Sequence, residues 1–140
     1  MEKRVILLVE DEALIRLATT ALLEDAGYSV IEAGNADVAI RILESRSDIG
    51  AVFTDIIMPG SVDGLRLSHA IRDRWPPVHL LVTSGLSVPI ENFPRKARFL
   101  RKPYTPVQVL KALSDLFGFD PEPYQYRNNV TQNYGRVAYR

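Results

Sequence analysis

The chain has 140 residues, of which 46% are hydrophobic and 24% are charged, enough for one compact domain and too few for two ordinary ones. Seventeen basic residues balance seventeen acidic ones, so the net charge does not favour binding to nucleic acid or to a membrane surface. Because there is no cysteine, the composition excludes disulfide frameworks, thiolate zinc sites and catalytic thiols.

The first half of the chain predicts three strands separated by two helices. Residues 5–9, within a predicted strand at 4–9, form an apolar run far shorter than the ~20 residues of a membrane span. Acids follow it directly, which is wrong for a signal peptide, so we expect a soluble, cytoplasmic protein. The predicted strand is followed by a helix at 11–26, a strand at 28–32, a helix at 35–44 and a strand at 51–54. The apolar residues whose spacing indicates the first helix are Leu14, Leu17, Ala18, Ala21 and Leu22.

The second half of the chain continues this alternation and then loses it. Between the fourth and fifth strands, Pro89 and Pro94 allow at most a short helix. From Gly118 onward the apolar period disappears, so we predict one domain at 1–118 and a flexible, polar tail with prolines and tyrosines at 119–140. The elements predicted here are a helix at 64–75, a strand at 78–83, a strand at 97–101 and a helix at 105–117.

Five strands, each followed by a helix, predict an α/β fold with (βα)5 order. Such chains form an open, doubly wound parallel sheet with helices on both faces, and ligands bind beyond the carboxyl ends of the strands. We therefore expect the polar side chains that follow the strands to lie at one edge of the sheet. They are Glu10 and Asp11 after strand one, Asp55 after strand three, Thr83 after strand four and Lys102 after strand five.

The types of these five side chains indicate a site for a phosphoryl group and a metal ion. Clustered carboxylates repel one another, and the oxygens of Asp11 and Asp55 with a backbone carbonyl and waters suit Mg²⁺. A carboxylate beside Mg²⁺ can attack phosphorus, while Lys102 and Thr83 could hold the transferring group. Each residue alone has an ordinary explanation, such as helix capping for Glu10. Together, at the ends of four strands, they favour the functional interpretation.

Five motifs, in order along the chain, carry a resemblance to a known family. They are VEDE at 9–12, DIIMPG at 55–60, DG at 63–64, TSG at 83–85 and FLRKPY at 99–104. With them, residues 3–117 resemble the receiver domain of two-component response regulators, and the whole chain resembles a single-domain response regulator. The resemblance implies a flavodoxin-like fold with strand order 2-1-3-4-5 and a cis peptide bond at Lys102–Pro103.

The resemblance also implies a role for each matching residue. Asp55 would be the phosphoacceptor, and Lys102 would bind phosphate. Mg²⁺ would be held by Glu10, Asp11, Asp55 and the main-chain carbonyl of Ile57. Thr83 would be the switch hydroxyl and Phe99 the switch aromatic residue.

The sequence departs from the family pattern at two places. Gly60, Ser61 and Val62 stand between the Met-Pro and Asp-Gly pairs, one residue more than usual. The helix that normally follows strand four is interrupted by Pro89 and Pro94, so we expect an altered output surface there.

The resemblance implies a phosphorylation-dependent signalling module rather than an independent enzyme. It would accept a phosphoryl group from a sensor histidine kinase or a histidine phosphotransfer protein and catalyse only its own phosphorylation and dephosphorylation. Its output would be contact with a downstream protein, with room for a phosphorylation-linked dimer and with no direct binding to nucleic acid or membrane.

Two alternative functions belong to other classes. A magnesium-dependent phosphohydrolase with an aspartyl-phosphate intermediate needs a second acid two residues after its nucleophile, where this chain has Ile57. A pseudo-receiver would only dock partners without being phosphorylated, and the intact set of acids, hydroxyl and lysine argues against it.

Overall fold

A computed structural model describes residues 4–56, 64–85 and 89–118 of the chain. Within these residues it contains five strands, four α-helices and one 3-10 turn. The strands are β1 (Val5–Val9), β2 (Ser29–Ala33), β3 (Ile49–Asp55), β4 (His79–Ser84) and β5 (Ala97–Arg101). The helices are α1 (Ala13–Asp25), α2 (Ala36–Ser45), α3 (Gly64–Arg74) and α4 (Pro106–Phe117), and the 3-10 turn is Ile90–Asn92. The predicted tail at 119–140 lies outside the described residues.

The five strands form one parallel sheet in the order β2-β1-β3-β4-β5, as predicted. Every residue of β1 is buried, because this strand has a neighbour on each side and helices over both faces. Successive residues of the strands point to opposite faces of the sheet and so contribute to two hydrophobic cores. One packs beneath α2 and α3 and includes Leu7 and Val52; the other packs beneath α1 and α4 and includes Ile6 and Phe53.

The bounds of β1, β2 and β4 differ from the predicted ones by one residue, and β5 has the predicted bounds. The largest difference is in β3, which begins at Ile49 beside Val5 and ends at Asp55 beside Thr83. The extension places Asp55 within the strand itself, as its last residue. Its backbone is therefore fixed by the sheet, not by a loop.

Helices α2 and α4 are capped at their N-terminal ends by polar side chains. Asn35 caps α2 by accepting the Val38 N–H at 2.9 Å. Thr105 and Gln108 form a reciprocal capping box at the start of α4. Gly118 ends that helix with φ 63°, a left-handed conformation that suits glycine. In the part of the chain described here, no helix is long and apolar enough to cross a bilayer.

The connection between β4 and β5 contains at most a short helix in its described part, residues 89–96, as Pro89 and Pro94 predicted. There the backbone forms only the 3-10 turn, closed by the Asn92 N–H donating to the Pro89 carbonyl at 2.9 Å. Pro89 and Pro94 lack the N–H groups that a continuing helix would use, which explains why the turn stays short.

Most of the apolar residues whose spacing predicted α1 face outward. Leu14 is 82% exposed and Leu17 is 64% exposed, whereas the buried residues of the helix are Thr20 and Leu23. At ~100° per residue, Leu23 lies on the side of the helix opposite Leu14. Helix α1 therefore packs on the sheet by its more polar side and presents an apolar stripe outward, formed by Leu14, Leu17, Ala18 and Ala21.

Candidate functional site

Asp55 and Lys102 meet at the carboxyl edge of the sheet. Asp55 is 11% exposed in its side chain, and its Oδ2 lies 2.5 Å from the Lys102 Nζ. The Lys102 backbone is fixed in turn by its N–H, which donates to the Ser84 carbonyl at 2.9 Å. The peptide bond between Lys102 and Pro103 is cis, so that expectation is confirmed. The parallel sheet thus brings together two of the residues that the sequence placed at this edge.

The acidic groups around Lys102 keep its side chain positively charged. Partial burial lowers the pKa of the Lys102 ammonium, but the hydrogen bond to Asp55 and the charges of Asp55 and Glu10 outweigh this. The net pKa of Lys102 is raised, so the side chain is cationic at neutral pH. A fixed cation at the end of β5 can balance negative charge that arrives at Asp55.

The acidic pair lies at the end of β1. Glu10 is buried, Asp11 is exposed, and the Glu12 N–H donates to Glu10 Oε2 at 3.1 Å. Burial is the largest cause of a raised pKa for the Glu10 carboxyl, and the Glu12 N–H opposes that rise. A hydrogen bond with Asp11 and the charge of Asp55 raise this pKa further. Crowded carboxyls of this kind favour a bound cation, which would keep them ionised.

The donor set fits an oxygen-seeking cation but is incomplete in the part of the chain that the structure describes. No three acidic, histidine or cysteine side chains among those residues converge to hold a metal ion on their own. The predicted carbonyl ligand, Ile57, lies outside the described residues, and so do the additional loop residues 60–62. Glu10, Asp11 and Asp55 would therefore share a cation with main-chain oxygen and water, the environment that Mg²⁺ prefers.

Thr83 and Phe99 occupy neighbouring positions on β4 and β5. Thr83 is buried, pairs with Asp55 in the sheet register, and accepts the Ile56 N–H at its carbonyl at 2.8 Å. Phe99 pairs with Val82, is partly exposed, and stacks on Phe93 with ring centroids 5.1 Å apart. The structure thus places the predicted switch pair on adjacent strands, with the aromatic residue in contact with the β4–β5 connection.

Side chains of α3 hold that connection. His69 Nε2 lies 2.7 Å from the Asn92 carbonyl, a contact at the surface. Arg72 is buried and donates to the Arg95 carbonyl at 2.9 Å as well as to carbonyls of the turn that follows α3. These contacts join residues 92–95 to α3. Only the folded structure reveals them, because the partners lie far apart in the sequence.

Two residues near the site had no predicted role. Gly64, the first residue of α3, lies against the backbone of Asp55 and Ile56 and donates its N–H to the Ile56 carbonyl at 2.7 Å. Arg16 of α1 donates to the Glu10 carbonyl at 2.6 Å. The DG motif could have indicated the glycine, because a close backbone approach requires the absence of a Cβ. No local pattern identifies the arginine.

Comparisons with known proteins find similarity to one family. Residues 6–114 match the family model of the response regulator receiver domain. The chain is 31% identical over 103 residues to the response regulator receiver protein CpdR of Brucella abortus (strain 2308), covering 71% of this chain and 84% of that protein. It is 30% identical over 116 residues to the sensor kinase CckA of the same strain, covering 79% of this chain but 12% of that protein.

A solved structure gives the same result for the fold. The crystal structure of a response regulator receiver protein from Sinorhizobium medicae WSM419 is similar with a TM-score of 0.78 and 31% sequence identity. The match covers 84% of this chain and 96% of that one.

Proposed function

The chain belongs to the response regulator receiver domain family, and we propose that it is a signalling module controlled by phosphorylation of Asp55. The observation that carries this proposal is the 2.5 Å pair between Asp55 and Lys102 beside the acidic residues Glu10 and Asp11. A carboxylate fixed at a strand end, next to a lysine with a raised pKa, is placed to accept a phosphoryl group and to balance its charge.

The proposed transfer uses one bond exchange. A carboxylate oxygen of Asp55 forms a bond to the phosphorus of a donor phosphohistidine, the phosphorus–nitrogen bond breaks, and the imidazole nitrogen leaves with the bonding electron pair. Lys102 can then move its ammonium from the carboxylate to the new phosphoryl oxygens. Thr83, buried beside Asp55, supplies the hydroxyl that reads the added group.

Mg²⁺ is part of the proposal. Glu10, Asp11, Asp55 and the Ile57 carbonyl would hold the ion, directly or through water. The bound ion would supply neutralisation of charge on the transferring phosphoryl group. The acidic side chains would hold the ion beside Asp55. Their crowding explains why a cation is needed there.

We expect Mg²⁺ to stabilise the folded protein, because the ion offsets the unfavourable proximity of Glu10 to Asp11 and Asp55 and binds only the folded state. At ~100 times the dissociation constant, the free energy of unfolding should rise by ~2.7 kcal/mol. Thermal melting with and without millimolar Mg²⁺ measures this. Asp11→Ala should lose most of the increase, while Glu24→Ala, an exposed acid at the far end of α1, should keep it. An equal increase in Asp11→Ala would place the ion elsewhere.

The partner that donates the phosphoryl group is proposed to be a protein, either a sensor histidine kinase or a histidine phosphotransfer protein. Support comes from the apolar stripe of α1, where Leu14 is 82% exposed within one helical turn of Asp11. Contiguous exposed apolar residues of this kind mark protein contact surfaces. A donor protein seated on the stripe would hold its phosphohistidine over the acidic edge.

Leu17→Glu should separate donation by a protein from donation by a small molecule. We expect phosphotransfer from a histidine phosphotransfer protein that labels the unmodified chain to become about tenfold slower, since the charge would be buried in the contact. Labelling by acetyl phosphate should stay unchanged. Arg41→Glu, on the exposed side of α2, is the matched control and should leave both rates unchanged. Equal loss with both donors would show damage to the site itself.

Intact mass after incubation with acetyl phosphate and Mg²⁺ tests the proposed function. One adduct of phosphate mass, stable in acid and lost in base, is the expected result. Steady release of phosphate without limit would favour the phosphohydrolase instead. Absence of any adduct, with Mg²⁺ shown to bind, would favour a docking module that is not phosphorylated.

A further inference from the structure

Arg16 connects three segments at the acidic edge of the sheet. It lies in the first turns of α1, where its N–H donates to the Glu12 carbonyl at 2.9 Å. Its side chain turns back, so that Nη1 donates to the Glu10 carbonyl at 2.6 Å and Nε donates to Glu32 Oε1 at 3.1 Å. Glu32 belongs to β2, so one guanidinium joins the start of α1, the end of β1 and the end of β2.

The peptide groups on either side of Glu10 are both fixed by these contacts. The Glu10 N–H donates to the Ala33 carbonyl of β2 at 3.0 Å, and the Glu10 carbonyl accepts from Arg16. That carbonyl belongs to the peptide that joins Glu10 to Asp11. If the peptide plane rotated, the direction of the exposed Asp11 carboxylate would change with it.

The shape of the Arg16 guanidinium suits it to fixing the Glu10 carbonyl. Its N–H donors are arranged in a rigid plane, so a single side chain can satisfy a backbone carbonyl and a carboxylate at the same time. The side chain of Arg16 is 23% exposed, which limits competition from water for both bonds. A lysine at this position offers one compact ammonium and cannot hold both acceptors in a fixed geometry.

We infer that Arg16 is a positioning residue that sets the orientation of the Glu10–Asp11 peptide and thereby the affinity of the acidic edge for a divalent cation. This inference rests on the proposed function. Residues that orient metal ligands without touching the metal typically change affinity by about 10- to 100-fold when replaced. The role of Arg16 is exerted through the backbone of Glu10, and Arg16 itself does not contact the phosphoryl group.

Isothermal titration of Mg²⁺ into the full chain, without any phosphodonor, tests the inference. Arg16→Ala should weaken Mg²⁺ binding about tenfold. Arg16→Lys should fall between the parent and Arg16→Ala, because it keeps the charge and one donor. Glu32→Gln should keep most of the affinity, because its amide oxygen still accepts the Nε–H. The matched control is Arg46→Ala, which breaks an exposed pair with Asp48 in the turn between α2 and β3 and should bind Mg²⁺ like the parent.

The outcomes separate this inference from the proposed function. If the parent binds Mg²⁺ and Arg16→Ala binds it within twofold of the parent, the positioning role is wrong while the site stands. If Arg16→Ala does not fold, Arg16→Lys decides: parent affinity in that variant overturns the inference, and weakened affinity in a fully folded protein supports it. A parent that binds no Mg²⁺ at millimolar concentration overturns the metal site and the inference together.

Discussion

Asp55→Asn should carry no phosphoryl group after treatment with acetyl phosphate and Mg²⁺, while the domain remains folded. An amide lacks the anionic oxygen that attacks phosphorus, so labelling at this position should fall below detection. The fold should survive because the substitution preserves the shape of the side chain and leaves the pairing of β3 with Thr83 intact. Lys102, which is 34% exposed, can direct its ammonium to water when its partner is neutral.

Intact mass and far-ultraviolet circular dichroism measure the two parts of this expectation. Asp73→Asn, on an exposed position of α3, is the matched control and should be labelled like the parent. A phosphate adduct on Asp55→Asn would mean that another acid accepts the group. In that case the proposal for Asp55 would be wrong even if the protein signals by phosphorylation.

Gly64→Ala should destabilise the domain by about 3 kcal/mol and disturb the site directly. A Cβ on Gly64 would stand 2.7 Å from the Asp55 carbonyl carbon and 2.8 Å from the Ile56 Cα. Both neighbours are backbone atoms of the strand end, so they cannot rotate away as a flexible side chain would. The end of β3 must move, and the Asp55 carboxylate with it, so phosphorylation should slow as well.

Urea unfolding of Gly64→Ala and Gly85→Ala gives the comparison. A Cβ on Gly85 would meet no heavy atom within 4 Å, so its change in unfolding free energy should stay within about 0.5 kcal/mol. If the two variants were equally stable, the close approach of α3 to Asp55 would be wrong. A stable Gly64→Ala protein that is phosphorylated normally would contradict the proposed effect on the site.

The sheet and its edge could be predicted because they follow from short apolar runs and from parallel topology. A run such as β1, apolar at every position, has few alternatives to a strand buried on both faces. Once the strands are parallel, the residues that follow them must share an edge. The contact between Asp55 and Lys102, 47 positions apart in the chain, is a consequence of that topology.

The orientation of α1 could not be predicted by the same reasoning. Helical periodicity finds an apolar stripe, but it does not say whether the stripe faces the sheet or a partner. Here the buried residues of the helix are Thr20 and Leu23, and Leu14 and Leu17 are exposed. Arg16 was missed for a different reason, because its importance depends on a carbonyl and a carboxylate that only the folded chain brings together.

Helix α3 contacts both Asp55 and the connection between β4 and β5 at the edge of the sheet. The helix begins at Gly64, which lies against Asp55. Its Arg72 donates a hydrogen bond to the connection that leads into β5. Strand β5 carries Phe99, and the chain then returns to Asp55 through Lys102. Asp55 and residues 92–95 are thus both in contact with α3. A protein that bound the β4–β5 connection more tightly when Asp55 was phosphorylated would therefore make the phosphorylation of Asp55 more favourable. By thermodynamic reciprocity, phosphorylation would change that protein's affinity by the same factor.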